Sequence, residues 1–161
     1  STLLHDLSVC GVSIIQMDKD LDHGPILAQQ AVALAEPIPG LELDTTLARI
    51  SGDLLVEVTQ KLTAGTVTPI EQDHATATFC GKITKDMAEL TIDPDHLPTG
   101  EAALATYRKI CAFDGWPETF FIHNGKRIKI KSARLTEAGV LELLRVVPEG
   151  KKEMGWQQFV A

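Results

Sequence analysis

The chain has 161 residues, 44% of them hydrophobic and 23% charged, a composition that excludes disordered and fibrous classes and fits an ordinary globular protein. No apolar run approaches the ~20 residues a membrane span needs, and no charged stretch leads into an apolar one as in a signal peptide. The formal net charge is −7, but residues 1–100 carry five Lys+Arg against fifteen Asp+Glu, whereas residues 101–161 carry ten against seven; the change of sign points to two surfaces with different partners.

In chain order, residues 9–17 (VCGVSIIQM) are β-branched and apolar and predict a buried strand. Residues 18–24 (DKDLDHG) form a polar loop ending in Gly-Pro, and residues 25–34 predict a second strand. Two prolines and a glycine make residues 36–40 a connection. Residues 44–62 are the clearest helix, with Leu43, Leu47, Ile50, Leu54, Val58 and Leu62 on one stripe, Asp44 or Thr45 as N-cap and Gly65 just past the end. Strand, strand and helix together suggest a piece of an α/β sheet.

Residues 66–92 are Thr-rich, poor in large apolar side chains and read as a linker, with a boundary near 72–80. Residues 99–113 predict a second helix capped by Thr99, with Leu104, Tyr107 and Cys111 on one face. Residues 119–123 and 126–133 predict strands joined at Asn124-Gly125, a dipeptide that tolerates positive φ in a type I′ turn. Residues 140–147 add another strand. Short strands with turn signals and one helix suggest a small barrel or partly open sheet. The division expected is 1–74, a linker over 75–98, and 99–161. Units this small are marginal alone and should lean on each other or on further material.

Cys10, Cys80 and Cys111 are scattered and odd in number, which argues against a disulfide framework or structural zinc and fits a reducing cytosol. His5, His23, His74, His96 and His123 lack metal-ligand spacing, so no metal is expected. The run Asp18-Lys19-Asp20-Leu21-Asp22-His23-Gly24 invites a calcium-loop reading, but loop positions six and twelve would be His23 and Gln29 instead of Gly and Glu. It reads either as a solvated acidic turn or as a carboxylate at a strand's C-terminal end, where open α/β sheets place their sites.

The second candidate is Arg127-Ile128-Lys129-Ile130-Lys131. Period two sends Ile128 and Ile130 to one face and three cations to the other. The cations serve either to protect a sheet edge or to track a phosphate backbone, with Lys126, Arg134, Lys151 and Lys152 extending them. Trp116 and Trp156 read as core or interface anchors more than as stacking platforms.

Residues 11–18, followed by Leu21-Asp22-His23-Gly24-Pro25-Ile26-Leu27, resemble the signature of the folate-dependent formyltransferases. In that family the Asp of the segment is catalytic, which implicates Asp22, and the loop before it helps enclose the folate, which implicates Asp18, Lys19, Asp20 and Leu21. Residues 112–117, 124–130 and 147–154 are similar to the C-terminal domain of the methionyl-tRNA formyltransferases, and residues 75–83 to their inter-domain linker.

The resemblance implies the end of a Rossmann-like catalytic domain followed by a mainly β barrel of the oligonucleotide-binding (OB) type with one helix. It also implies 10-formyltetrahydrofolate as formyl donor and initiator methionyl-tRNA as partner, in the cytoplasm. Lys82, Lys85, Arg127, Lys129, Lys131, Lys151 and Lys152 are the positions matching the tRNA channel. The family's catalytic Asn and His belong to segments that would precede Ser1, and His5 is expected to end a helix. Inactivity of the chain alone follows, with the missing N-terminal part of the catalytic domain as a further partner. The alternatives are a non-catalytic RNA-binding module, one subunit of a split formyltransferase and, less well matched by the C-terminal segments, a sugar-nucleotide formyltransferase. Where the family often has Asn-Pro-Trp-Pro-Gly, this chain has Asp114-Gly115-Trp116-Pro117-Glu118, expected to alter a turn and not the chemistry.

Overall fold

The computed structural model describes residues 2–5, 7, 8 and 10–161; the first residue of the strand expected at 9–17 lies outside them. A four-residue helix α1 (Thr2–His5) precedes strands β1 (Gly11–Ile15) and β2 (Ile26–Ala31), which pair antiparallel. The strand expected to be buried is half exposed. Among the described residues only β2 pairs with it, so one of its edges carries no neighbour. Met17, expected within the strand, lies beyond it and is exposed.

Helix α2 (Gly40–Thr63) packs across this hairpin. It starts four residues before Asp44, and neither Asp44 nor Thr45 caps it. Pro39 stands at the N-cap with φ −53, its carbonyl accepting from the Glu42 and Leu43 amides, while the Leu41 amide donates to the Asp114 carboxylate 73 residues away. A first turn satisfied by its own backbone and one distant carboxylate leaves no local side-chain capping signal. Leu43, Leu54 and Val58 of the expected stripe are buried, but Leu62 is 55% exposed. Gly65 follows the helix with φ +68.

Residues 66–87 are almost wholly exposed, yet they hold a reciprocal backbone pair between Ile26 and Ile70 and two 3-10 turns, His74–Thr76 and Lys85–Ala88. Ala88, Leu90 and Ile92, within the stretch expected to lack structure, are buried. Leu90 and Ile92 sit in the main core because Leu90 donates to the Phe120 carbonyl along the edge of the next sheet.

Helix α3 (Gly100–Ala112) covers an antiparallel meander β3 (Phe120–His123), β4 (Lys126–Leu135), β5 (Leu141–Pro148) and β6 (Met154–Gly155). Thr99 is its N-cap residue but makes no side-chain cap bond. The Gly100 amide donates to the Gly139 carbonyl instead, and the Leu141 amide to Pro98. Asn124 and Gly125 both take positive φ, and His123 pairs with Lys126, which is the tight hairpin the dipeptide predicts.

The sheet is open: among the described residues no pairing joins β6 to β3, so a closed barrel does not form. A fourth helix, α4 (Trp156–Val160), was not expected. It carries Trp156 and Phe159 against Phe121. Trp156 is thus a core anchor, whereas Trp116 is 56% exposed and anchors no core.

The main core joins Leu90, Ile92, Ala103, Phe121, Ile128, Ile130, Leu141, Leu143, Val146 and Trp156. A second cluster joins Leu3, Cys10 and Leu43 to Cys111 of α3, with Tyr107 packed against both. Helix α3 is therefore shared between the strand–helix piece and the meander.

Candidate functional site

The loop between β1 and β2 presents the candidate carboxylate. Residues 16–23 are exposed, and Gly24 is buried. A Cβ on Gly24 would collide with the Gln16 carbonyl, so only glycine lets the two loop arms approach this closely. The Gln16 amide closes the neck on the Pro25 carbonyl at 2.9 Å. Gln72 then holds the loop from behind, its Nε2 donating to the carbonyls of Asp22 (2.9 Å) and Gly24 (2.6 Å). Asp22 adopts φ +53, a left-handed conformation that Asp tolerates better than most residues. Its backbone is tied down while its side chain faces solvent at the C-terminal end of β1.

Asp18 acts as the loop's internal brace. Its carboxylate accepts from the Asp20 amide at 2.9 Å and meets His23 Nδ1 at 2.7 Å. The hydrogen bond to His23 holds the Asp18 carboxyl below its ordinary range, helped by the Asp20 amide. The same contact raises the His23 imidazole above its ordinary value. His23 stacks on His74 at 3.9 Å between centroids, nearly parallel. The ligand atoms of Asp18, Asp20 and His23 lie within 4.8 Å of one another, closer than the sequence spacing suggests, but the Asp18 carboxylate is already engaged by Asp20 and His23. Lys19 and Leu21 are exposed, Leu21 by 97%. Sequence reasoning missed Gln72 and His74, which meet this loop only through the fold.

The basic residues divide into two groups. On β4, Ile128 and Ile130 are buried while Arg127, Lys129 and Lys131 take the other face. Arg127 lies over the Phe120 ring, 3.6 Å from its centroid, and its backbone amide donates to the Glu149 carboxylate. Lys129 and Lys131 both pair with the Glu118 carboxylate, Lys129 at 2.7 Å. Partial burial pushes the Glu118 carboxyl up, but the two ammonium groups outweigh it and leave it below its ordinary range. Arg134 pairs with Glu142 and Arg145 with Glu153. Among the described residues Lys82, Lys85, Lys151 and Lys152 are exposed and form no ion pair. Lys126 and Lys151 line one groove of about 380 Å³ with His123, Asn124 and Phe159.

Glu118 has φ +65 and stands where the resembling family often carries glycine. It also places a carboxylate against two of the candidate cations.

Similarity to known proteins identifies a class. HypX from Aquifex aeolicus, solved in complex with tetrahydrofolic acid, superposes on 99% of this chain and 31% of its own with a TM-score of 0.70 at 12% identity. The methionyl-tRNA formyltransferase from Clostridium thermocellum superposes on 83% of this chain and 56% of its own with a TM-score of 0.56 at 18% identity. These likenesses fix the fold, and together with the sequence relatives they make the chain formyltransferase-like.

Those relatives are methionyl-tRNA formyltransferases. The enzyme of Treponema pallidum is 30% identical over 93% of this chain and 53% of its own length, and that of Carboxydothermus hydrogenoformans is 28% identical over 93% and 54%. The chain thus spans about half the length of the curated relatives it matches. No protein-family model matches the sequence.

Proposed function

We propose that this chain is part of a methionyl-tRNA formyltransferase acting in the cytoplasm at translation initiation. In that reading residues 1–74 end the catalytic domain, 75–98 link, and 99–161 form a partly open variant of the OB-type barrel that holds initiator methionyl-tRNA. The observation that carries it is the 30% identity to the Treponema pallidum enzyme over 93% of the chain. The exposed Asp22 loop, held from behind by Gln72, supports it.

The reaction moves a formyl group from 10-formyltetrahydrofolate to the methionyl α-amine. The C–N bond to the amine forms through a tetrahedral oxyanion, the bond from the formyl carbon to the folate nitrogen breaks, and the amine's proton passes to the leaving nitrogen. The site must supply an oxyanion donor, an imidazole of tuned charge and a carboxylate to tune it. Asp22 is the carboxylate, since a nearby anion favours the protonated imidazole. Lys82, Lys85, Arg127, Lys151 and Lys152 face the tRNA backbone. Lys129 and Lys131 extend that surface, and Asp18, Lys19, Asp20 and Leu21 border the folate.

In this reading Asp22 works with an oxyanion donor and an imidazole from elsewhere in the enzyme, and losing one such donor costs about 10²–10³ in rate, so residues 1–161 by themselves are expected to transfer no measurable formyl group. Mixing them with 10-formyltetrahydrofolate and methionyl-tRNA tests this; clear turnover would refute it. Co-expression with the N-terminal half of a relative should restore formylation, and Asp22→Asn should abolish the restored activity.

A second reading, one subunit of a split enzyme, is favoured by two features. The outer edge of β1 carries no strand among the described residues, and Leu55, Val56 and Leu62 of α2 are exposed. Both would suit a second chain that continues the sheet.

A further inference from the structure

Two of the three cations on the outer face of β4 are already occupied. The β3–β4 register pairs Phe120 with Lys129, and two residues further along it sets Glu118 opposite Lys131. The carboxylate binds both ammonium groups. It is the more protected partner: the Glu118 side chain is 20% exposed, against 42% and 38% for Lys129 and Lys131. Two ammonium groups converging on one anionic group are also the arrangement a phosphate would take. Glu118 holds this position from a backbone conformation with φ +65, which is uncommon outside glycine. Asp114 and Glu153 add negative charge near Lys131.

We propose that Glu118 is an affinity-determining clasp that occupies the place of a backbone phosphate on Lys129 and Lys131, so that RNA engages this strand only by displacing it. The inference rests on the RNA-binding reading above and deepens it. The one carboxylate cancels a single positive charge but holds both ammonium groups, so neither is free to neutralise a phosphate and release the cation condensed on it. RNA binding by the unaltered chain therefore draws on Lys82, Lys85, Arg127, Lys151 and Lys152, and the two β4 lysines are held in reserve.

The test is tRNA affinity of the full chain as a function of salt. Glu118→Gln is expected to tighten binding at low salt by about tenfold and to steepen the log–log salt slope by up to about two, near one for each released lysine. Glu118→Gly removes the same carboxylate and suits the positive φ, so it must give the same gain even where the glutamine variant folds poorly. Adding Lys129→Gln and Lys131→Gln to Glu118→Gly must cancel the gain. Asp53→Asn, an equal charge change on exposed α2, must not reproduce it. If the unaltered chain binds tRNA and the Glu118 variants bind with the same affinity and slope, or if Asp53→Asn matches them, the clasp is overturned and the RNA-binding reading stands. If none of these proteins binds tRNA, both fall.

Discussion

At the scale of single residues, the candidate loop is held in shape by side-chain hydrogen bonds to its own backbone and side chains. Asp18 and Gln72 spend their hydrogen-bonding capacity on the loop that presents Asp22, and this restricts a segment that is otherwise open to water. The Asp18–His23 contact gives the loop a pH dependence. His23 is raised from 6.5 and Asp18 lowered from 3.8, so the contact is fully present between those two values. It is lost as pH rises through the raised His23 value and, on the acid side, as pH falls through the lowered Asp18 value. The His23 imidazole followed by NMR should titrate above 6.5, and Asp18→Asn should bring its midpoint down. An unmoved midpoint in the variant would remove the contact from the account.

At the scale of elements, α2 divides its apolar stripe unequally. Leu43 is buried among Leu3, Cys10 and Cys111, whereas Leu62 ends the same stripe exposed to solvent. Leu43→Ala should therefore cost about 2–5 kcal/mol through lost transfer energy and a residual cavity. Leu62→Ser should stay within about 0.5 kcal/mol of the unaltered chain. Urea unfolding of the two variants checks both, and equal losses would contradict the packing described. The β3–β4 hairpin is the other element with consequences. Its register follows from the Asn124-Gly125 turn, and counting outward from that turn sets residue 118 opposite residue 131. A carboxylate at 118 was thus a readable warning that the β4 lysines would be paired.

At the scale of the molecule, α3 joins the strand–helix piece to the meander, and two thiols report on that junction. Cys10 and Cys111 are buried in the shared cluster, whereas Cys80 is exposed. Burial pushes the Cys111 thiol up to about 11, and the same burial pushes Tyr107 up to about 12. Because the thiolate is the reactive form, a thiol-specific reagent at neutral pH should modify Cys80 rapidly and leave Cys10 and Cys111 protected until denaturant is added. Mass spectrometry of the labelled chain reads this directly. Rapid labelling of Cys111 in the native protein would mean that the two parts separate in solution.

Local chemistry alone accounted for a good share of this architecture. The β1–β2 pair, most of α2, the α3 span and the Asn124-Gly125 hairpin each follow from periodicity or turn preference within a few residues. The stretch around Asp22 could be singled out because it is contiguous. What lay beyond such windows shares one cause: it depends on partners brought together from far along the chain. The Asp114 carboxylate at the start of α2, Gln72 behind the Asp22 loop, and the burial of Leu90 and Ile92 against β3 are all of this kind. The early start of α2 and the open sheet emerge only when those distant groups compete with water for the same hydrogen bonds, a contest settled by packing and not by local preference.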